Sequence, residues 1–404
     1  MTKPMILRKA TRSLSINLMK LLVGKKANAQ HLAFAGQGSS RELCSHIAGL
    51  GHQSVLVVTD GPLKALGIAD LACESLSEFG VTVHWFDRVE PDPSYHVIDA
   101  GAVALAQAGA TAVLAIGGGS AIDAAKIIAA TRFSDDDPRD WAGFNKTPEE
   151  IAPLFVIPTT SGTGSEATMG AVITDPDNHR KQIMGSQPLL PKAVALDPAL
   201  MTAMPPSVTA ATGIDALTHG IEAYIGVWER GNRTEAASLA VQGVFRWLRT
   251  AMAEPDNLEA RMGMAMAAYW GGIAINQVNV GNVHAIAHQL GSQCGTPHGA
   301  ANAVVLPEVL DCYGEIIQRQ LAELAVATGV SQAADEAQSA ADFRAAVRTL
   351  IADVGLSPTV KGLSPALYSA VIDAAIDEGD SYPTPRLLAA QEMRAILERL
   401  TPVD

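Results

Sequence analysis

The residue types best suited to gripping a cation fall in two short segments of a 404-residue chain. Asp215 and His219 stand four apart in Gly213-Ile214-Asp215-Ala216-Leu217-Thr218-His219. His284 and His288 repeat that spacing in Asn282-Val283-His284-Ala285-Ile286-Ala287-His288, and His298 follows in Thr296-Pro297-His298-Gly299. On a helix, residues four apart share a face and can converge on one ion. A lone core histidine is more often a packed, hydrogen-bonded residue than a ligand, and a single pair is ambiguous. Here every histidine beyond residue 205 lies in these segments, so two pairs and a fifth candidate make a coherent set for a divalent metal. Its nitrogen and oxygen donors suit Fe²⁺ or Zn²⁺ and include no thiolate to decide between them.

A second kind of chemistry is suggested by two loops rich in glycine and hydroxyls. Gly117-Gly118-Gly119-Ser120 follows the apolar run Ala112 to Ile116 and opens a helical stretch that carries Asp123 and Lys126. Bare glycine backbone at a helix start lets a pyrophosphate approach free N–H groups, although the stretch departs from the G-x-G-x-x-G pattern and is also what a plain turn looks like. Pro158-Thr159-Thr160-Ser161-Gly162-Thr163-Gly164-Ser165-Glu166 again follows an apolar run, Leu154 to Ile157. Either loop alone reads equally well as surface; two at consecutive strand ends favour a dinucleotide. Asp60 ends the run Ser54 to Thr59, where a carboxylate can bind ribose hydroxyls and repel a 2′-phosphate, so NAD is expected over NADP. Asp60-Gly61 is also a common turn pair.

The elements that must position these groups separate into two kinds. From Gln53 to about Leu196, β-branched runs at Ser54–Thr59, Val81–Phe86, Ala112–Ile116 and Leu154–Ile157 read as strands. Ser94–Ala108 and Ala121–Thr131 read as helices between them, the pattern of a parallel sheet with crossovers. After Ala203-Met204-Pro205-Pro206 the strand signal gives way to Ala-, Leu- and Met-rich helical periodicity. The expectation is an α/β dinucleotide-binding domain over 1–205, with a basic extension at 1–30, then an all-α metal and catalytic domain over 206–404, the two sharing a cleft.

Composition limits the partners. A formal net charge of −13 argues against nucleic acid. No apolar run approaches the ~18 residues of a membrane span. Cys44, Cys73, Cys294 and Cys312 lie far apart, which signals neither a disulfide framework nor a thiolate zinc site and suits a reducing cytoplasm. The first 41 residues carry eight Lys and Arg and no acid. A solvated surface helix is the expected reading of this segment, and membrane contact is the less favoured one.

Taken together, these motifs resemble the iron-containing, or group III, alcohol dehydrogenases, within the wider superfamily of dehydroquinate synthase and glycerol dehydrogenase. The resemblance runs from about Phe34 to the C-terminus and is carried by Gly117 to Ser120 with Asp123, Pro158 to Glu166, Gly213 to Tyr224, and His284 to Pro307. It implies Asp215, His219, His284 and His298 as ligands of Fe²⁺, with Zn²⁺ the alternative, and His288 beside the metal as a proton relay. It implies NAD contacts at Asp60, Gly118, Gly119, Ser120, Asp123, Thr159, Thr160, Thr163 and, more loosely, Lys181. The chemistry implied is hydride transfer between a small alcohol or aldehyde and NAD(H), in a homo-oligomer. A zinc polyol dehydrogenase of the glycerol type is the nearest rival. A cyclase of the dehydroquinate synthase kind would need basic residues to hold its substrate, and neither metal segment has Lys or Arg. The chain departs from the family around Gly226 to Asn232 and at Tyr382-Pro383-Thr384-Pro385-Arg386, places expected to shape the substrate pocket.

Overall fold

The computed structural model describes Arg8 and residues 31–177, 180–227 and 232–402. The described chain divides into two compact units, Ala29–Met204 with Pro255–Gly272, and Pro205–Glu254 with Ile273–Asp404, the latter also taking in Arg8. The segment 255–272 therefore packs with the sheet-bearing residues, although sequence alone places it in the helical domain.

In the first unit, β1 (Leu32–Ala35), β2 (Ser54–Asp60), β3 (Thr82–Val89), β4 (Ala112–Gly117), β6 (Leu154–Pro158) and β9 (Ala193–Leu196) form one sheet, and β5 (Gly143–Phe144), β7 (Gly170–Thr174) and β8 (Lys181–Gly185) another. The large sheet has the order β1-β9-β6-β4-β2-β3 and every pairing in it is parallel. A parallel sheet covered on both faces needs apolar residues on both, which is why β4 and β6 are buried along their whole length. Helices α1 (Ser39–Gly49), α2 (Gly61–Ala65), α3 (Ile68–Glu78), α4 (Tyr95–Ala108) and α5 (Gly119–Ala130) connect the strands. Leu43, Ile47, Leu76, Val57, Leu114 and Phe155 belong to the core beneath α1 and α3.

The four expected strands and two expected helices are present, each within a few residues of its sequence-based limits. Strands β1, β5, β7, β8 and β9 are additional. They are short, and the β1 residues Leu32 to Ala35 carry no alternation to mark them. The chain leaves β3 at one edge, crosses back and places β4 on the other side of β2, so the strand order reverses between β2 and β4. Ligands of open α/β sheets bind at the carboxyl ends of strands at such a switch point, and here those ends are Asp60 and Gly117.

The second unit is helical among its described residues: α6 (Pro206–Ile225), α7 (Asn232–Ala253), α9 (Asn282–Cys294), α10 (His298–Tyr313), α11 (Gln318–Ala327), α12 (Glu336–Asp353), α13 (Tyr368–Gly379) and α14 (Ala390–Leu400). Helix α8 (Leu258–Val278) is divided between the units. Pro205 and Pro206 start α6, where a missing N–H costs nothing because the first turn has no acceptor for it. No helix among the described residues is long and apolar enough to cross a membrane.

The basic extension lies outside the described residues except for Arg8. That side chain is buried, donates to both carboxylate oxygens of Asp380 at 2.7–3.1 Å and reaches the carbonyl of Leu388 at 3.1 Å. At this position the expected wet surface is instead a buried ion pair.

Candidate functional site

In the helical unit, α6, α9 and α10 each bring ligand-type side chains to one place. Asp215 Oδ1 lies 3.7 Å from His219 Nε2, 3.6 Å from His284 Nε2 and 3.4 Å from His298 Nε2. The ligand atoms of Asp215, His284 and His298 all fall within 4.8 Å of one another, and the His219 ring stacks on His284 with centroids 4.8 Å apart. The close approach of α10 to α6 depends on Gly299, because a Cβ there would meet the carbonyl oxygen of Ala211 at 2.1 Å. Asp215 and His284 side chains are 2% exposed and that of His298 30%, so the cluster is open on the His298 side. One carboxylate oxygen and converging imidazole nitrogens, dry on one side and open on the other, fit a divalent ion of the Fe²⁺ or Zn²⁺ type.

The electrostatics of the cluster divide its histidines, and an ion bound there would have to displace a proton from His284. Burial by itself would raise the Asp215 carboxyl, but the surrounding His219, His298 and His284 hold it well below the ordinary carboxylate range. Burial likewise works against charge on His284, yet Asp215 and a second carboxylate, Glu222, outweigh it and raise this imidazole to about 9. His298 is lowered, chiefly by burial, which leaves its nitrogen free of a proton and able to ligate.

Sequence reasoning missed three residues around this centre. Glu222 accepts a 2.6 Å hydrogen bond from His284 Nδ1. Asn302, fully buried one turn after His298, donates to Asp215 Oδ1 at 2.7 Å. Glu378 lies 2.6 Å from His288 Nδ1 and also accepts from Tyr382 and Gln289. Although burial would raise it, these donors keep the Glu378 carboxyl below its ordinary range. The His288 ring stacks on His298 at 5.2 Å, so His288 stands beside the cluster with its other face tied to Glu378. Tyr382 belongs to this buried network, and Arg386 pairs with Glu392 and the carbonyl of Cys312. Spacing could have revealed Glu222, which is seven residues after Asp215 and so on its helix face.

In the sheet-bearing unit the two hydroxyl- and glycine-rich loops meet. Gly117 has φ +153°, a conformation L side chains avoid, and turns the chain from β4 into α5. Thr159 N–H donates to the Gly117 carbonyl at 3.0 Å. A Cβ on Gly118 would press on Thr160 at 3.2 Å, and one on Gly119 would strike Thr163 at 2.7 Å. These glycines let the second loop pack on the start of α5, where unpaired N–H groups suit an anion. Asp60 has two roles open to it: one oxygen caps α2 by accepting from Leu63 N–H at 2.8 Å, and the other points towards Gly117. Ser120 accepts from Asp92 N–H, and Asp92 pairs with Lys181 at 2.8 Å, which links Lys181 to the α5 start.

Asp123 is placed differently from a cofactor contact. Its carboxylate is taken up by Ser165 Oγ and the Val172 N–H, so it braces the second loop and β7 from behind. Lys126, one turn on and wholly buried, holds the same loop through Ser165, Thr168 and the Gly170 carbonyl.

A parallel sheet with a nucleotide-type switch point and a separate carboxylate–imidazole cluster describe a metal-dependent oxidoreductase that works with a dinucleotide. The comparisons with known proteins agree. Residues 32–198 match the family model described as iron-containing alcohol dehydrogenase, and residues 209–401 match that of the Fe-containing alcohol dehydrogenase family, C-terminal. The chain is 34% identical to 1,3-propanediol dehydrogenase of Klebsiella pneumoniae over 87% of its own length and 92% of the relative's. It superposes on a crystal structure of 1,3-propanediol oxidoreductase with TM-score 0.88 at 32% identity, covering 91% of this chain and 97% of that one. Sulfoacetaldehyde reductase from Bifidobacterium kashiwanohense, solved with NAD⁺, gives 0.85 at 26% identity over 93% and 98%. The chain belongs to the iron-containing alcohol dehydrogenase family and is a metal-dependent, NAD(H)-linked alcohol oxidoreductase.

Proposed function

We propose that Asp215, His219, His284 and His298 hold one divalent ion, iron first and zinc as the alternative, and that the substrate is a small primary alcohol or diol and its aldehyde. The observation that carries this is the convergence of the three imidazole Nε2 atoms within 3.7 Å of one carboxylate oxygen. Bound there, such an ion supplies Lewis acidity that makes an alcohol proton easier to lose. The chain's own part is to fix the donors and to move that proton. His288, oriented through Nδ1 by Glu378 and stacked on His298, is the group proposed to carry it away. On the other unit, the amides at the start of α5 and the hydroxyls of Thr159, Thr160 and Thr163 are proposed to grip the pyrophosphate, with Asp60 on the ribose and Lys181 and Ser120 at the rim. Gripping the cofactor at its phosphates leaves the nicotinamide aligned for hydride transfer, which supplies much of the rate.

The preference for short alcohols and diols draws on the propanediol dehydrogenase and oxidoreductase relatives. A cytoplasmic homo-oligomer is proposed with it, in keeping with four free cysteines. An anaerobic screen of the Fe²⁺- and Zn²⁺-loaded protein against short alcohols, diols, glycerol and the aldehydes, with NAD and NADP side by side, tests the reading. Fastest turnover of a short primary alcohol or diol with Fe²⁺ and NAD is expected. Turnover confined to glycerol with Zn²⁺ would replace it with the polyol reading.

A further inference from the structure

The helix face that supplies Asp215 and His219 also carries a second acid, Glu222, and this one points towards the start of α9. Its carboxylate collects three N–H donors. Oε1 accepts from Val283 N–H at 2.7 Å, and Oε2 accepts from Gly281 N–H at 2.8 Å and from His284 Nδ1 at 2.6 Å. Glu222 is 5% exposed and His284 2%, so water does not compete for these contacts.

A carboxylate already facing two backbone donors has only lone pairs to offer a ring nitrogen 2.6 Å away. The proton of neutral His284 must therefore sit on Nδ1, and Nε2 is left with its lone pair, 3.2 Å from the donor Asn302 Nδ2 and 3.6 Å from Asp215 Oδ1. The same two backbone bonds satisfy otherwise unpaired amides at the α9 start, since Gly281 is its N-cap. One side chain on α6 thus sets both where α9 begins and which way its first histidine faces. The fit leaves no room for a side chain at Gly281, whose Cβ would lie 2.5 Å from Glu222 Oε1.

We propose that Glu222 is a positioning residue of the metal centre, locking His284 in the tautomer and orientation that ligation requires. The proposal rests on His284 being a ligand. Its rival is that Glu222 only caps α9, which would affect folding and leave metal binding alone. Glu222→Gln separates the two because the amide has the same shape but must turn its NH₂ either towards Val283 N–H or towards Gly281 N–H and His284 together. Turned towards His284, it donates to Nδ1 and drives the ring proton onto Nε2, where it blocks ligation.

The test is Co²⁺ affinity by chelator competition, with the visible Co²⁺ spectrum and thermal unfolding of the metal-free protein, on Glu222→Gln, Gly281→Ala and His284→Ala. Glu222→Gln is expected to fold and to bind Co²⁺ about 10- to 100-fold more weakly with an altered spectrum, as for other outer partners of metal-ligating histidines. Gly281→Ala, which displaces the carboxylate without removing it, should weaken binding in the same direction. A folded Glu222→Gln or Gly281→Ala protein with wild-type Co²⁺ affinity and spectrum overturns the proposal. Wild-type affinity in His284→Ala instead removes the ligand assignment and, with it, the role of Glu222.

Discussion

Between residues 215 and 302 the groups aimed at a common point are side-chain atoms: one carboxylate oxygen, imidazole nitrogens and the amide of Asn302. Between residues 117 and 166 they are mostly backbone, exposed by glycine and shaped by threonines packed against it. The two regions differ in what holds them. Asp215 and His284 are steadied by neighbours of opposite charge, Glu222 among them. The glycine loops are steadied from behind by Asp123 and Lys126, which grip Ser165 between them. A side-chain site announces itself by residue type and spacing. A backbone site takes its meaning from where the strand ends.

If the two regions are separable, a ligand removed from one should leave the other intact. His284→Ala is expected to lose stoichiometric metal and to lower kcat by at least ~10³-fold, since loss of metal removes the polarising charge, while NAD affinity measured by fluorescence titration stays unchanged. Full metal occupancy in this variant would take His284 out of the ligand set. His288→Gln sharpens the division inside the metal region. With metal content retained, kcat should drop by about 10²-fold, the usual share of a proton-transfer group. Loss of metal would make His288 a ligand, and a raised KM for cofactor at normal kcat would make it a nicotinamide contact.

The bracing of the second loop can be probed by pH. Burial pushes the Glu166 carboxyl from 4.5 up to about 7, against its own backbone N–H and the Lys126 ammonium, which pull it down. A raised folded pKa means the folded chain holds the proton more tightly. The contribution is fully present below pH 4.5 and is lost as pH rises through about 7. Glu166→Gln removes it, so the stability of wild type relative to this variant should fall by on the order of 2–3 kcal/mol between those limits. Subtracting one protein's denaturant curve from the other's cancels His31, the nearby imidazole that burial lowers to about 4. A difference flat in pH would contradict the assignment.

The smallest effect is expected at the strand end. Asp60→Gly should narrow the preference for NAD over NADP by about tenfold, one charge's worth of discrimination, with metal content unchanged. Because Asp60 also caps α2, Asp60→Asn serves to separate the two roles: it keeps the cap and removes the charge. An unaltered ratio of kcat/KM for the two cofactors in both variants would leave Asp60 as a cap alone.

The carboxylate–imidazole cluster was readable because i, i+4 spacing on a helix translates directly into a shared face, so Asp215 with His219 and His284 with His288 were paired on the page of letters. The parallel strands were readable for a similar reason, as buried strands must be apolar throughout, and the same letters indicated the family. Asp123 shows the limit. The family resemblance implied a cofactor contact for it, whereas the packing of α5 engages its carboxylate with Ser165 and the Val172 N–H. Glu378, ninety residues from the histidine it holds, has no local signal at all.

What the sequence determined by itself was what strong local periodicity sets, the long helices, the buried strands, the helix faces and the kinds of donor, with the reaction class following from the family resemblance. What only the tertiary structure decided was which elements meet. It brought α9 and α10 to α6 so that His284 and His298 face Asp215, gave 255–272 to the sheet-bearing unit, and set Glu222 against the start of α9. The physical reason is that a side chain's orientation is fixed by the groups that pack and bond with it, and most of those come from distant parts of the chain. Local spacing can bring His284 onto a helix face, but only a carboxylate arriving from another helix decides which of its two nitrogens carries the proton.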